Sequence, residues 1–375
     1  LHLYLHIPFC TQACHYCDFH FSTNTANTAV IVEAIAKELV MRRQYLPSAR
    51  LETIYFGGGT PSLLDEQELD LLMVTIREHF DVIPQAEITL EANPDDLNKE
   101  KLRQLANAGI NRLSIGIQSF HQPHLEHLNR IHSAFEGEQC VKEAQQLGIS
   151  NISIDLIYAI PAENHDILKS DIQKAVGLGV SHLSAYCLTI EPQTAFGSWL
   201  KKKKIKPIDE EFAAQQFEIL IDSLAQNGFE QYEISNFARN DQYSRHNSSY
   251  WKQRPYLGVG PSAHSYNGTS REYNVSNNSK YLAAISNGTI PATQELLSVA
   301  DVTNEYLLTG LRTKWGVNLK KLGTLSAQRF AVESSAALKD LINREWIIIQ
   351  HDTILLTPAG KLFADRIASD LFIED

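Results

Sequence analysis

Between residues 1 and about 190 the sequence alternates between short apolar runs and longer helical patterns, and few architectures accommodate that rhythm. Strand-like runs fall at residues 1–7, 53–56, 87–91, 112–117, 153–158 and 182–187. Helical periodicity fills the gaps at 29–44, 66–80, 99–108, 136–147 and 167–178. Parallel strands joined by right-handed helical crossovers form one sheet, closed or partly closed as a barrel. An eight-stranded barrel needs more chain than this, so the pattern predicts a partial (β/α)6 barrel of TIM type.

Beyond residue 190 the rhythm is lost. One helix is predicted at 211–227, and residues 232–238 read as a segment pairing with the barrel edge. From Asp301 an apolar run opens a further unit containing Gly310-Leu311-Arg312, whose arginine reads as structural. Helices at 327–343 and 358–371 flank a hairpin of 346–350 with 353–356, turned by His351-Asp352. The expected organisation is a barrel over 1–190, a barrel-edge extension over 191–290, and a small C-terminal α+β, winged-helix-like domain over 291–375.

Asp and Glu outnumber Lys and Arg by 44 to 33, giving a net charge of −11. That opposes nonspecific binding to nucleic acid, which needs basic surface against phosphate. No apolar run approaches the roughly 20 residues of a membrane helix. No secretory signal is visible, though Leu1 stands in mid-strand and residues upstream of it stay open. Five cysteines, three of them clustered, suit a reducing compartment, so a cytoplasmic protein is expected. Cys140 and Cys187 sit in apolar surroundings and read as inert core residues.

The clustered cysteines, Cys10, Cys14 and Cys17, have the spacing C-x3-C-x2-C. Three thiolates can hold three irons of a [4Fe–4S] cluster and leave the fourth open to another ligand. The alternative is a structural zinc site completed by His15 or His20. In a parallel barrel, functional groups come from the C-terminal ends of the strands. Those ends carry Gly57-Gly58-Gly59-Thr60-Pro61, Glu91-Ala92-Asn93-Pro94 and Gln118-Ser119-Phe120, while Asp155 lies within the fifth strand. Glycines let backbone approach a ligand closely. Glu91 and Asp155 are carboxylates in apolar strands and need a partner, and Arg130 offers a planar fork to a carboxylate. Internal salt bridges would explain any one of these residues. Their recurrence at successive β/α units favours a site.

The cysteine loop resembles that of the radical S-adenosylmethionine (SAM) superfamily. The resemblance implies that the open iron chelates the amino and carboxylate groups of SAM, with Tyr16 packing near the adenine and the glycine motif against the amino group. Over its whole length the chain is similar to the coproporphyrinogen III oxidase-like branch of that superfamily. The likeness rests on Tyr4, the cysteine loop, Gly57 to Pro61, Leu90 to Pro94, Ser114 to Phe120, Asn129-Arg130 and Asp155-Leu156-Ile157-Tyr158. It implies that Tyr4, Gly58, Gly59, Thr60, Glu91, Gln118, Arg130 and Asp155 line the SAM site.

The branch contains oxidases and heme chaperones. Oxidases carry a fourth cysteine two positions after the third, where this chain has Phe19, and an N-terminal extension, where nine residues precede Cys10 here. The segment His246-Asn247-Ser248-Ser249-Tyr250-Trp251 resembles the heme-binding motif of the chaperones. Imidazole is a good axial ligand for heme iron. On that reading His246 binds iron, Asn247 orients the ring, and Tyr250 and Trp251 lie against the porphyrin. His264 reads either as a second ligand or as part of a packed turn. The run Lys201 to Lys204, with Lys206, reads as a solvated loop or as a basic foot for heme propionates or anionic lipid. The resemblance thus implies a heme-delivery protein with a [4Fe–4S] cluster, SAM and heme. Its partners would be heme-requiring acceptors, membrane respiratory enzymes among them, met by peripheral membrane contact; dimerisation stays open. The alternatives are an oxygen-independent coproporphyrinogen III oxidase, which decarboxylates propionates, and another radical SAM enzyme acting on heme.

Overall fold

The computed structural model describes residues 1–374. Six parallel strands and their crossover helices run β1 (His2–Ile7), α1 (Thr28–Met41), β2 (Arg50–Gly58), α2 (Glu66–His79), β3 (Asp81–Ala92), α3 (Lys99–Ala108), β4 (Arg112–Gln118), α4 (Gln122–His127), α5 (Ala134–Gln146), β5 (Ile152–Tyr158), α6 (Asp166–Gly177) and β6 (His182–Cys187). All six predicted strands and their helices are present. The strands alternate between an apolar outer face and a polar inner one. Leu3, Leu5 and Ile7 of β1 pack outward in the main core, as do Ile88, Leu90 and Ala92 of β3. The intervening positions, His2, Tyr4 and His6 in β1 and Glu87, Thr89 and Glu91 in β3, therefore face the barrel interior, because successive side chains leave a strand on opposite sides. Helix starts are capped: Asp65 before α2 and Ser133 before α5 both form reciprocal capping boxes, with Glu68 and Glu136.

The sheet does not close on itself. It has twelve strands in the order β12-β11-β10-β9-β1-β2-β3-β4-β5-β6-β8-β7. After α7 (Ala195–Lys201) and α8 (Glu210–Gln226), the antiparallel pair β7 (Glu230–Glu233) and β8 (Asn236–Ala238) covers the β6 edge, as residues 232–238 predict. The chain then crosses to the opposite edge through α9 (Arg245–Trp251). There β9 (Tyr256–Val259) pairs parallel with β1, adding a parallel strand that the β/α rhythm does not announce. β10 (His264–Tyr266), β11 (Ser270–Asn274) and, after α10 (Asn278–Ser286), β12 (Ala292–Leu296) extend that edge antiparallel.

Residues after Ser298 build a second core around Leu307, Leu311, Val317, Leu322, Ile354 and Ile367. Its elements are α11 (Val299–Leu311), β13 (Val317–Asn318), α12 (Leu319–Leu325), α13 (Phe330–Glu333), α14 (Ser335–Asn343), β14 (Ile347–Gln350), β15 (Thr353–Leu356), α15 (Pro358–Lys361) and α16 (Ala364–Asp370). The hairpin turns at His351 and Asp352, both in the left-handed region (φ 47° and 60°), as a tight turn between twisted strands requires. The helix predicted over 327–343 is broken at Ser334, whose hydroxyl donates to the Leu371 carbonyl (3.0 Å). That predicted over 358–371 is broken before Ala364, where Phe363 stacks on Trp346 (4.5 Å between ring centres). Arg312 bridges this unit to the sheet, binding Glu233 (3.0 Å) and Asp365 (2.6 Å), which fits its structural reading. No helix among the described residues is long and apolar enough to cross a membrane.

Candidate functional site

The cysteine loop leaves the C-terminal end of β1 and is held by backbone contacts. Cys10 N–H donates to the Ser22 carbonyl (3.1 Å), His15 N–H to the Leu128 carbonyl (3.2 Å), and Cys17 N–H to the Cys14 carbonyl (3.3 Å). Asn129, in the left-handed region at φ 62°, donates from Nδ2 to the Ala13 carbonyl (2.7 Å), and Gln12 returns a bond to the Asn129 carbonyl (2.9 Å). The segment after α4 thus clamps the loop, a role for Asn129 and Gln12 that side-chain chemistry alone does not reveal. The glycine motif seals the other side: Gly59 N–H donates to the Ile7 carbonyl (2.8 Å) and Thr60 N–H to the Phe9 carbonyl (2.6 Å). A Cβ on Gly59 would stand 2.5 Å from the Phe9 carbonyl oxygen, so only glycine fits there. His15 and His20 do not complete a metal site. His15 Nδ1 bonds the His127 carbonyl (3.0 Å) and His20 Nε2 bonds Asn278 (2.8 Å). Among the described residues no group of three or more His, Cys, Asp or Glu gathers as donors to a single ion.

Cys10, Cys14 and Cys17 open into a cavity of about 400 Å³ at the C-terminal ends of the strands. Tyr16, Gly58, Gly59, Thr60, Glu91, Gln118, Arg130 and Asp155 all line it. Tyr4 does not: it lies deeper in the barrel, stacked on Tyr55 (6.1 Å) with its hydroxyl 3.2 Å from His6 Nδ1. Its strand position, three residues before Ile7 at the strand's end, sets it too low. Cys187 is the opposite case. It was expected in the core, yet as the last residue of β6 it lines the cavity wall; Cys140 is buried in the core. Asn93 and Ser114, which the motifs contain but single-residue chemistry does not mark, also line the cavity.

Glu91 accepts from the Tyr55 hydroxyl (2.7 Å) and the Gly58 N–H (3.2 Å). Asp155 accepts from the Ser114 hydroxyl (3.2 Å). Neither carboxylate is in an ion pair with a described residue. Burial, with the Asp155 charge nearby, pushes the Glu91 carboxyl up to about 7, and burial pushes Asp155 up to about 6. Arg130 donates to Asn93 Oδ1 (2.6 Å), the Gly116 carbonyl (2.8 Å) and Cys14 Sγ (3.4 Å), while its Nε is buried without a partner.

The Glu91 shift has a measurable sign. A carboxyl raised on folding keeps its proton longer in the native state, so its contribution to stability is present below its ordinary pKa of 4.5 and is lost as pH rises through about 7. The full shift corresponds to roughly 3 kcal/mol at about 1.4 kcal/mol per unit. In cluster-free protein, Glu91→Gln is expected to gain stability relative to wild type between pH 5 and pH 8. Parallel unfolding midpoints for the two proteins across that range would contradict the shift.

The His246 segment lies at the other end of the barrel. Glu87 caps the start of α9, accepting from His246 N–H (2.9 Å) and Arg245 N–H (3.1 Å). His246 is 1% exposed. Its Nδ1 is 2.6 Å from the Thr53 hydroxyl and its Nε2 is 3.0 Å from the Tyr250 hydroxyl, and the ring stacks on Tyr55 (4.8 Å). Burial holds the imidazole well below its ordinary pKa. This geometry departs from the axial-ligand expectation: both nitrogens are engaged and no open face is presented. The nearby cleft, of about 270 Å³, is lined by His2, Thr53, Arg245, Lys252 and Arg254 but not by His246. Asn247 does not orient the ring, since Thr53 and Tyr250 do. Trp251 is half-buried beneath the Arg312 guanidinium (5.7 Å) rather than presenting an open face. His264 is exposed on β10 beside Tyr273 (5.7 Å). The structure therefore brings the cysteine set and the carboxylates together at one end, and places the histidine set at the other.

Comparison with known proteins bears on this arrangement. A model of the radical SAM superfamily matches residues 4–175. The chain is 34% identical over 368 residues to "Heme chaperone HemW" of Bacillus subtilis, covering 97% of both chains. It is 32% identical over 372 residues to the protein of the same name from Lactococcus lactis, covering 99% of this chain and 97% of that one. The crystal structure of coproporphyrinogen III oxidase (HemN) from Escherichia coli, described as a radical SAM enzyme, superposes with a TM-score of 0.86 at 22% identity. That match covers 99% of this chain and 89% of the other, so the fold is shared from end to end. The identity, coverage and cysteine-loop geometry agree: the chain belongs to the HemW family within the radical SAM superfamily.

Proposed function

We propose that this protein is a heme chaperone, binding heme and passing it to heme-requiring proteins. The observation that carries the reading is the end-to-end match, at 34% and 32% identity, to proteins named heme chaperones. Phe19 supports it, because the position where oxidases carry a further cysteine holds an aromatic ring 67% exposed at the cavity rim. Superfamily membership implies a [4Fe–4S] cluster and SAM, and the cavity fits both. Cys10, Cys14 and Cys17 would hold the cluster and leave one iron open. Glu91, a half-buried carboxylate without a basic partner among the described residues, suits the SAM ammonium. Arg130 Nε, a buried donor without an acceptor, suits its carboxylate. Asp155 with Ser114 suits ribose hydroxyls, Tyr16 the adenine, and the backbone of Gly58, Gly59 and Thr60 the methionine part, with Gln118 at the wall. When bound, the two groups supply one-electron chemistry; the chain's own residues bind, orient and shield them.

We further propose three functional divisions at about residues 190 and 290, a cytoplasmic site of action, and recipients that include membrane-bound respiratory heme enzymes. The test is anaerobic. Cluster-reconstituted protein is titrated with heme, and the same sample is given coproporphyrinogen III, SAM and a reductant. Saturable heme binding without decarboxylated product is the expected result. SAM-dependent decarboxylation would replace this reading with an oxidase.

A further inference from the structure

The Arg130 guanidinium is held from two sides. Its Nη2 donates to Asn93 Oδ1 (2.6 Å) and to the Gly116 carbonyl (2.8 Å), and its Nη1 donates to Cys14 Sγ (3.4 Å). The planar fork cannot turn without losing these bonds. Asn93 is itself anchored. Its backbone N–H donates to the Ser62 hydroxyl (3.3 Å) and its Nδ2 to Thr60 Oγ1 (3.4 Å), while the Ser62 hydroxyl donates to Asp96 (2.6 Å). The amide has one orientation, because a guanidinium only donates and must meet the amide oxygen. Gly116 leaves room for the fork: a Cβ there would stand 3.4 Å from Nη2. Asn93 is uncharged, so it fixes the guanidinium without neutralising it. Asp95 acts on Arg130 only through space, without a hydrogen bond to it. The cation therefore reaches one of the three clustered cysteines with its charge largely intact.

An iron–sulfur cluster gains one negative charge on reduction, and its potential depends on net charge and on hydrogen bonds to its sulfurs. A cation that donates to a ligand sulfur favours the reduced form. We propose that Arg130 raises the reduction potential of the [4Fe–4S] cluster through Cys14 Sγ, and that Asn93 is the positioning residue that keeps it there. The inference rests on the reading that Cys10, Cys14 and Cys17 hold the cluster. It gives one guanidinium two tasks on two edges. Nη1 faces a cluster sulfur, and Nε, buried without a partner, stays free for a ligand carboxylate. Neither task is visible at Asn93 itself, whose side chain touches only Arg130 and Thr60 through hydrogen bonds.

The full chain is reconstituted anaerobically, and iron and sulfide per chain are measured first. Without SAM, whose carboxylate would offset the charge, the cluster is titrated reductively and its reduced form counted by electron paramagnetic resonance. Arg130→Met is expected to shift the midpoint to lower potential by about 59 mV or more, a tenfold loss in the reduced-to-oxidised ratio for one electron. Asn93→Leu keeps the charge but removes the acceptor, and is expected to shift it in the same direction by less. Arg130→Lys is expected to recover part of the Arg130→Met loss. Should Arg130→Met fail to load, the Asn93→Leu and Arg130→Lys midpoints decide. Wild-type midpoints in the loaded variants would overturn the tuning role, and a wild-type midpoint in Asn93→Leu alone would overturn the positioning role. A wild type that takes up no iron and sulfide would instead overturn the cluster reading itself.

Discussion

Replacing Cys14 with serine is expected to reduce iron and sulfide after reconstitution to background, with loss of the cluster's visible absorption. Three thiolates are what the loop offers, and a two-thiolate loop leaves a second iron without protein support. Burial raises the Cys10 and Cys17 thiols to about 11 and about 12, so iron must displace protons that these sulfurs hold firmly. Loading therefore releases protons and strengthens as pH rises. The backbone clamp from Leu128 and Asn129 does not use the thiols, so the variant is expected to keep the wild-type circular dichroism spectrum. Cys187→Ser is the informative control, because that thiol shares the cavity. Full iron in Cys14→Ser, with loss in Cys187→Ser, would reassign the ligand set.

His246→Ala is expected to destabilise the fold by about 3–5 kcal/mol. The cost has identifiable parts. A fully buried ring stacked on Tyr55 is removed, leaving a void. The Tyr250 hydroxyl loses its partner, while Thr53 keeps one in His2 Nδ1 (3.0 Å). A chain with three separate hydrophobic clusters is not expected to unfold in one step, so the comparison is of denaturation midpoints followed by barrel-specific fluorescence. Thr53→Val, which keeps the volume but removes the hydroxyl's bonds to both His246 and His2, is expected to cost about 2 kcal/mol. A His246→Ala protein as stable as wild type would contradict the packing role these contacts imply.

The contrast between the two ends of the barrel shows what a sequence of this kind discloses. The six strands were legible because outer positions such as Leu3, Leu5 and Ile7 must be apolar against helices, and the cavity residues because strand ends repeat a polar or glycine signal. Tyr4 lies beneath the cavity lining for a simple reason: strand membership tells which face a residue takes, not how deep it lies. The surroundings of His246 were not legible, because an imidazole flanked by aromatics has the same composition as a ligand and as a hydrogen-bonded core residue. The sequence does not show that Thr53, 193 residues away, bonds the ring beside Tyr250. The edge strand β9 was missed because it is short and joins β1 from the far side of the chain.

The long reach of α9 also bears on the order of folding. Its bonds to Thr53 and Glu87 span 193 and 159 residues, whereas β1 to β6 assemble from neighbours joined by single crossovers. Loop closure makes such distant contacts wait until the intervening chain is in place. The floor of the barrel is consequently a late event, after the strands that present the cysteine loop have paired. A nascent chain halted before residue 245 would have its upper cavity framed while Tyr4 and Tyr55 still faced water from below.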